Sequence, residues 1–218
     1  MLKISAVAAL LSFCHCNLYL VQAASGQMEI LWNRVPVSEA LLDPRLSARE
    51  KESLLFFEEV RSFALRNDFR AEGMFQKYTR IDRDAAAYNV TAAPALSLEP
   101  LTWWFPIVGT VPYLGFFQRE RAEEEARKLT EAGFDTRVGA VAAYSTLGWF
   151  DDPVLSTQLD CSQLCLSRLF LHEATHATVW IPGSVSFNES LASFVEEAAA
   201  RQFWLEKQGV VSPEVARM

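Results

Sequence analysis

The order of segments along the chain predicts an α+β domain, with a small mixed or antiparallel sheet packed on helices. Three observations predict it. Helical periodicity runs through 46–67, 118–133, 160–180 and 188–208. A block of β-branched and aromatic residues, broken by Pro and Gly, fills 86–117. The last two helices follow one another directly at the end of the chain. With 218 residues, 50% hydrophobic and 22% charged, and with 15 Phe and 6 Trp, the chain suits one globular domain with a sizeable core. The net charge of -7 and the lack of any Lys/Arg block argue against a nucleic-acid partner.

Taken in order, residues 1–23 read as an export segment. Lys3 precedes the apolar run "ISAVAALLSFC", which is much shorter than the ~20 residues of a membrane span. Val21 and Ala23 suit signal-peptidase cleavage after Ala23, while Cys14 and Cys16 offer processing at a cysteine instead. Residues 24–218 then form the domain. "GQMEILWNRVPVSEALLDP" predicts a short helix broken by Pro36 and Pro44. "LSAREKESLLFFEEVRSFALRN" opens with Ser47 and Glu50 in capping-box spacing. The 86–117 block predicts strands with a hairpin-like turn. "QRERAEEEARKLTEAG" is an amphipathic helix stopped at Gly133, with a solvated charged face. "FDTRVGAVAAYSTLGWFDDP" predicts a strand and a loop. "DCSQLCLSRLFLHEATHATVW" predicts a helix stopped by Pro182 and Gly183. Ser186 or Asn188 caps a final helix ending at Gly209. Cys161 and Cys165, placed on one helix, are expected to be small buried hydrophobes rather than a disulfide.

Histidine is scarce, and two of the 3 in the chain fall in "HEATH". On a helix His172 and His176 stand one turn apart on one face, so both imidazoles can share a metal ion. Glu173 points elsewhere, suited to taking a proton from a metal-bound water without ligating the metal. A catalytic zinc needs a third ligand and an open position. Glu189 follows on the next helix after a chain reversal, which allows a His-His-Glu set. Glu196, two turns further on the same face, is either a partner for a ligand histidine or a surface acid beside Glu197.

"AYSTLGWFDDPVLST", "HEATH" and "FNESLASFVEE", with "TWWFPIVGTVPYLGFF" and "GQMEILW", look like segments of the "Putative aminopeptidase" family of bacterial zinc metallopeptidases, within the gluzincin group. The resemblance implies a zincin-like domain whose active-site helix is followed by a glutamate-bearing helix. It implies zinc bound by His172, His176 and Glu189, Glu173 as the catalytic residue, and peptide hydrolysis of aminopeptidase type. Asn188 and Glu196 would then stand behind the ligands. It also implies export to the cell envelope, as a periplasmic protein or one lipid-anchored at Cys16. The strand up to Ala142 and Ala143 falls where gluzincins pair an edge strand with an extended peptide. Tyr144, at its end, is a candidate oxyanion donor. Asp151 and Asp152 are candidate anions for a substrate ammonium. Where relatives carry a cysteine pair this chain has Trp104 and Thr110, which reads as a disulfide lost as a unit. Relatives also continue beyond the position of Met218, so a domain short at its C-terminus is expected. Two rival readings stand beside the peptidase: an envelope binding or structural protein that holds zinc without turnover, and an exported scaffold with a metal-free helical core.

Overall fold

In the computed structural model, which describes residue 19 and residues 22–105, 109–141, 152–209 and 213–216, the chain enters through a helix over 22–32, α1. Strand β1 (Val35–Pro36) and a single helical turn, α2 (Val37–Ala40), follow, with Pro36 at the N-cap of α2, so it separates the two helical pieces. Helix α3 (Ala48–Arg66) starts at the expected capping box. Ser47 Oγ accepts from Glu50 N–H at 3.2 Å, and Glu50 Oε2 accepts from Ser47 N–H at 2.7 Å. Strand β2 (Lys77–Thr79) is too short to leave a periodic trace in the sequence and was not anticipated. The aromatic block becomes β3 (Ala87–Pro94), β4 (Trp103–Phe105), β5 (Gly109–Val111) and β6 (Leu114–Phe116). Helix α4 (Arg119–Glu131) stops before Gly133, which takes φ +94. Strands β7 (Phe134–Val141) and β8 (Val154–Leu155) lead to the long helices α5 (Gln163–Thr178) and α6 (Val185–Gln208), then a last turn, α7 (Pro213–Ala216).

The fold is α+β with small sheets packed on helices, as expected, and among the described residues the strands form three such sheets. The order β6-β3-β7 is fully antiparallel, with α4 laid against it through the buried Ala122 and Ala126. The mixed order β1-β2-β8 has an antiparallel and a parallel pairing, and β4-β5 is the expected hairpin. In that hairpin Trp104 faces Thr110 directly.

The main core lies between α3, α5 and the C-terminal half of α6. Phe56, Phe57, Phe63, Phe170 and Trp204 are all almost completely buried, and Phe203 packs edge-on against Phe56 and Phe63. Burying each such ring is worth roughly 1.5–3 kcal/mol, so α5 and α6 are pinned at the end remote from their connecting turn. Trp204 Nε1–H also donates to Ser167 Oγ at 3.0 Å.

Two expectations are corrected. Helix α6 begins at Val185 with Ser184 at its N-cap, so Ser186 and Asn188 lie inside its first turns rather than capping it. Cys161 and Cys165 are disulfide-bonded, with Cα atoms 5.7 Å apart. Helix α5 begins only at Gln163, after Ser162 at its N-cap, so Cys161 sits outside the helix and its side chain is free to turn onto Cys165.

Candidate metal centre

The site is built where α5 and α6 run side by side. Arg168, His172 and His176 recur every four residues along α5, while Glu189 and Glu196 are seven apart on α6, so each set lines one face of its helix. Ala192 and Ala200, both fully buried on α6, keep the helices close along this seam. The connecting turn is held by Asn188. Its Oδ1 accepts from Ile181 N–H at 3.0 Å and its Nδ2–H donates to Ile181 O at 2.8 Å. The β4–β5 hairpin presses on the same turn, since a Cβ on Gly109 would lie 3.2 Å from Gly183 Cα.

Donor atoms of three residues meet there. His172 Nε2 lies 3.1 Å from His176 Nε2 and 3.3 Å from Glu189 Oε2, and His176 Nε2 lies 3.6 Å from Glu189 Oε1. One donor atom from each of these residues lies within 4.8 Å of those of the others, so the group is able to hold a metal ion. Bonds of about 2.0–2.2 Å set at tetrahedral angles leave ligand atoms about 3.3–3.6 Å apart; the two distances to the Glu189 carboxylate, one to each oxygen, fall in that range, and the histidine nitrogens are slightly closer. The proton bookkeeping at His172 agrees. A carboxylate has no proton to give, so His172 Nδ1 donates to Glu196 Oε2, at 2.8 Å, and in the neutral ring Nε2 is then a bare lone pair. That lone pair faces His176 Nε2 at 3.1 Å, where it can accept an N–H from His176 or, with His176 Nε2 also bare, share a cation with it.

The local electrostatics favour positive charge. The bond to Glu189 raises the His172 pKa above 6.5, burial opposes this, and the charge of Glu173 and the contact with Glu196 add to the rise. In return the bonds from His172 and then His176 lower the Glu189 pKa to about 2. His176 is buried and packed edge-on between the rings of His172 and Trp180, whereas Glu189 is half exposed at the open side of the cluster.

His172, His176, Glu189 and Glu196 are therefore brought together, and Glu173 stands on the same helix with its charge felt at His172. Asn188 holds the turn. Asp152 is buried at the head of β8, where its carbonyl accepts from Phe75 N–H. Ala142, Ala143, Tyr144 and Asp151 fall outside the described residues. Two residues near the cluster were missed. Arg168 carries only a helical i,i+4 relation to His172, which many surface arginines share. Tyr113, in the turn between β5 and β6, has its phenol pKa raised by burial and further by the charges of Glu189 and Glu173, which places it within their field. Nothing in its local sequence signals that proximity.

Fold and cluster together define an α+β protein with a two-histidine, one-carboxylate centre between adjacent helices. The chain belongs to the family described as "Putative aminopeptidase", which it matches over residues 18–217. No curated protein and no solved structure matches it.

Proposed function

We propose that the chain is a zinc-dependent peptidase of aminopeptidase type, with a zincin-like arrangement of α5 and α6, acting in the bacterial cell envelope. The observation that carries this reading is the triangle of His172 Nε2, His176 Nε2 and the Glu189 carboxylate, close to tetrahedral ligand spacing. Two imidazoles and one carboxylate suit zinc better than the harder cations, which prefer oxygen alone. Zinc bound there supplies Lewis acidity and lowers the pKa of a bound water to about 7.

The chain's own groups do the remaining work. Glu173, next to a ligand but turned away from the ligand face, takes a proton from the attacking water as the new C–O bond forms. It then passes that proton to the amine nitrogen as the peptide C–N bond breaks. Substrate would lie extended along β7. That strand pairs with β3 on one side and stands at the edge of its sheet on the other. Its far end leads toward Ala142, Ala143 and Tyr144. The apolar segment after Lys3 supports export, with Cys16 as the site of a lipid anchor.

Zinc content of the purified protein, with hydrolysis of free and N-blocked peptides, tests the reading. One zinc per chain, lost in His172→Ala, and cleavage restricted to unblocked peptides are expected. An equal metal content in His172→Ala refutes the site. Zinc without cleavage identifies a binding protein on the same scaffold.

A further inference from the structure

We propose that Arg168 is a positioning residue for this centre: it clamps Glu196, and Glu196 in turn fixes the His172 ring with Nε2 presented to the other two donors. The proposal rests on the reading of the cluster as a metal site. Arg168 stands one helical turn before His172 on α5. Its Nε–H and Nη2–H both donate to one oxygen of Glu196, Oε1, at 3.0 and 2.6 Å. The other oxygen, Oε2, is thereby left to accept from His172 Nδ1 at 2.8 Å. The three side chains form a chain of hydrogen bonds that leaves α5, touches α6 and returns to α5.

The order of the links matters. A glutamate has several rotatable bonds, so a single contact with the histidine would hold neither group firmly. The planar guanidinium fork takes one oxygen at two points and removes that freedom. Glu196 retains only 15% of its side-chain exposure, so its charge needs a partner other than water. Outer partners of ligand histidines set both ring orientation and tautomer, and here Arg168 acts on the ring only through Glu196. A simple strap between two helices would use the same two residues, but it would not require the second carboxylate oxygen to bond His172.

Zinc affinity, measured on the full chain by competition with a chromophoric chelator, tests the clamp. So does the imidazole nitrogen–proton spectrum of the metal-free protein. Arg168→Met should weaken zinc binding about 10–100-fold. Arg168→Lys should recover part of the loss, and Arg168→Met should add little in a Glu196→Gln background. The His172 Nδ1–H resonance, protected in the parent, should broaden in Arg168→Met at temperatures well below the unfolding midpoint of that variant. Unchanged zinc affinity together with an unchanged Nδ1–H resonance in Arg168→Met overturns the clamp and leaves the metal centre intact. Losses that simply add in the double variant also overturn it. A parent that takes up no zinc, yet whose Nδ1–H resonance depends on Arg168, refutes the metal reading and supports the clamp.

Discussion

Asn188 and Ile181 exchange two hydrogen bonds across the α5–α6 turn, at 3.0 and 2.8 Å, and the residue after Asn188 is the carboxylate that faces both histidines. The side-chain amide satisfies the backbone N–H and C=O of a residue just beyond α5, so it ties the start of α6 to the end of the histidine helix. Asn188 is almost fully buried although Ile181 is exposed, so removing the amide breaks both bonds and leaves a gap beneath the turn.

Asn188→Ala should therefore cost about 1–2 kcal/mol of stability, the net scale of losing two hydrogen bonds whose backbone partners can turn to water. Metal affinity should fall with it, because Glu189 loses its fixed distance from the histidines. Urea unfolding and chelator competition measure the two effects. A variant with both values unchanged shows that the turn is held by other contacts.

Glu173 is assigned to proton transfer and not to holding the metal. Glu173→Gln should keep the fold and the zinc content of the parent while peptide hydrolysis falls by at least about 100-fold. Steady-state rates alongside zinc analysis check this. Parental turnover removes Glu173 from the mechanism.

The cap of α3 makes a pH-dependent contribution. The Glu50 pKa is held below its ordinary value of 4.5 by the bonds with Ser47. A lowered folded-state pKa means stabilisation that is present above about pH 4.5 and lost as pH falls through the folded value. Ser47→Ala should cost about 1 kcal/mol at pH 7 and less at pH 3. Thermal unfolding at the two pH values reads the difference. An equal cost at both would mean that the Glu50 arm of the box contributes nothing.

The N-terminus offers a test of export mode. Tyr19 packs against Phe105 and Phe116, each at 5.6 Å between ring centroids, and its hydroxyl accepts from Gly115 N–H at 3.1 Å. Gln22 donates to Gly115 O at 3.2 Å. Cleavage after Ala23 would strip both residues from β6, whereas processing at Cys16 keeps them. A mature chain beginning at Cys16 keeps both contacts, and an acyl group on that cysteine is the expected mark of the proposed anchor. Mass spectrometry of the protein recovered from cells decides it, and a chain starting at Ala24 counts against the anchor.

Local chemistry was legible in the sequence wherever neighbours along the chain set it. The i,i+4 histidine pair needs only the pitch of a helix to share one face, and the Ser47–Glu50 box needs only one turn. Gly133 stops α4 because a residue without Cβ takes positive φ at little steric cost. The seven-residue step from Glu189 to Glu196 likewise predicts a common face. Tertiary structure decided which partner that face meets. Glu196 had two readings until α6 settled against α5 and gave it both His172 and Arg168. Cys161 became bonded because the helix begins three residues later than its periodicity indicated. Tyr113 reached the field of Glu173 and Glu189 through the β5–β6 turn, far from either in sequence. The physical reason is the same throughout. Helical pitch and capping act over one or two turns, whereas the distance between Glu189 and the histidines depends on core packing around Trp204, on the Asn188 turn and on the Gly109–Gly183 contact acting together.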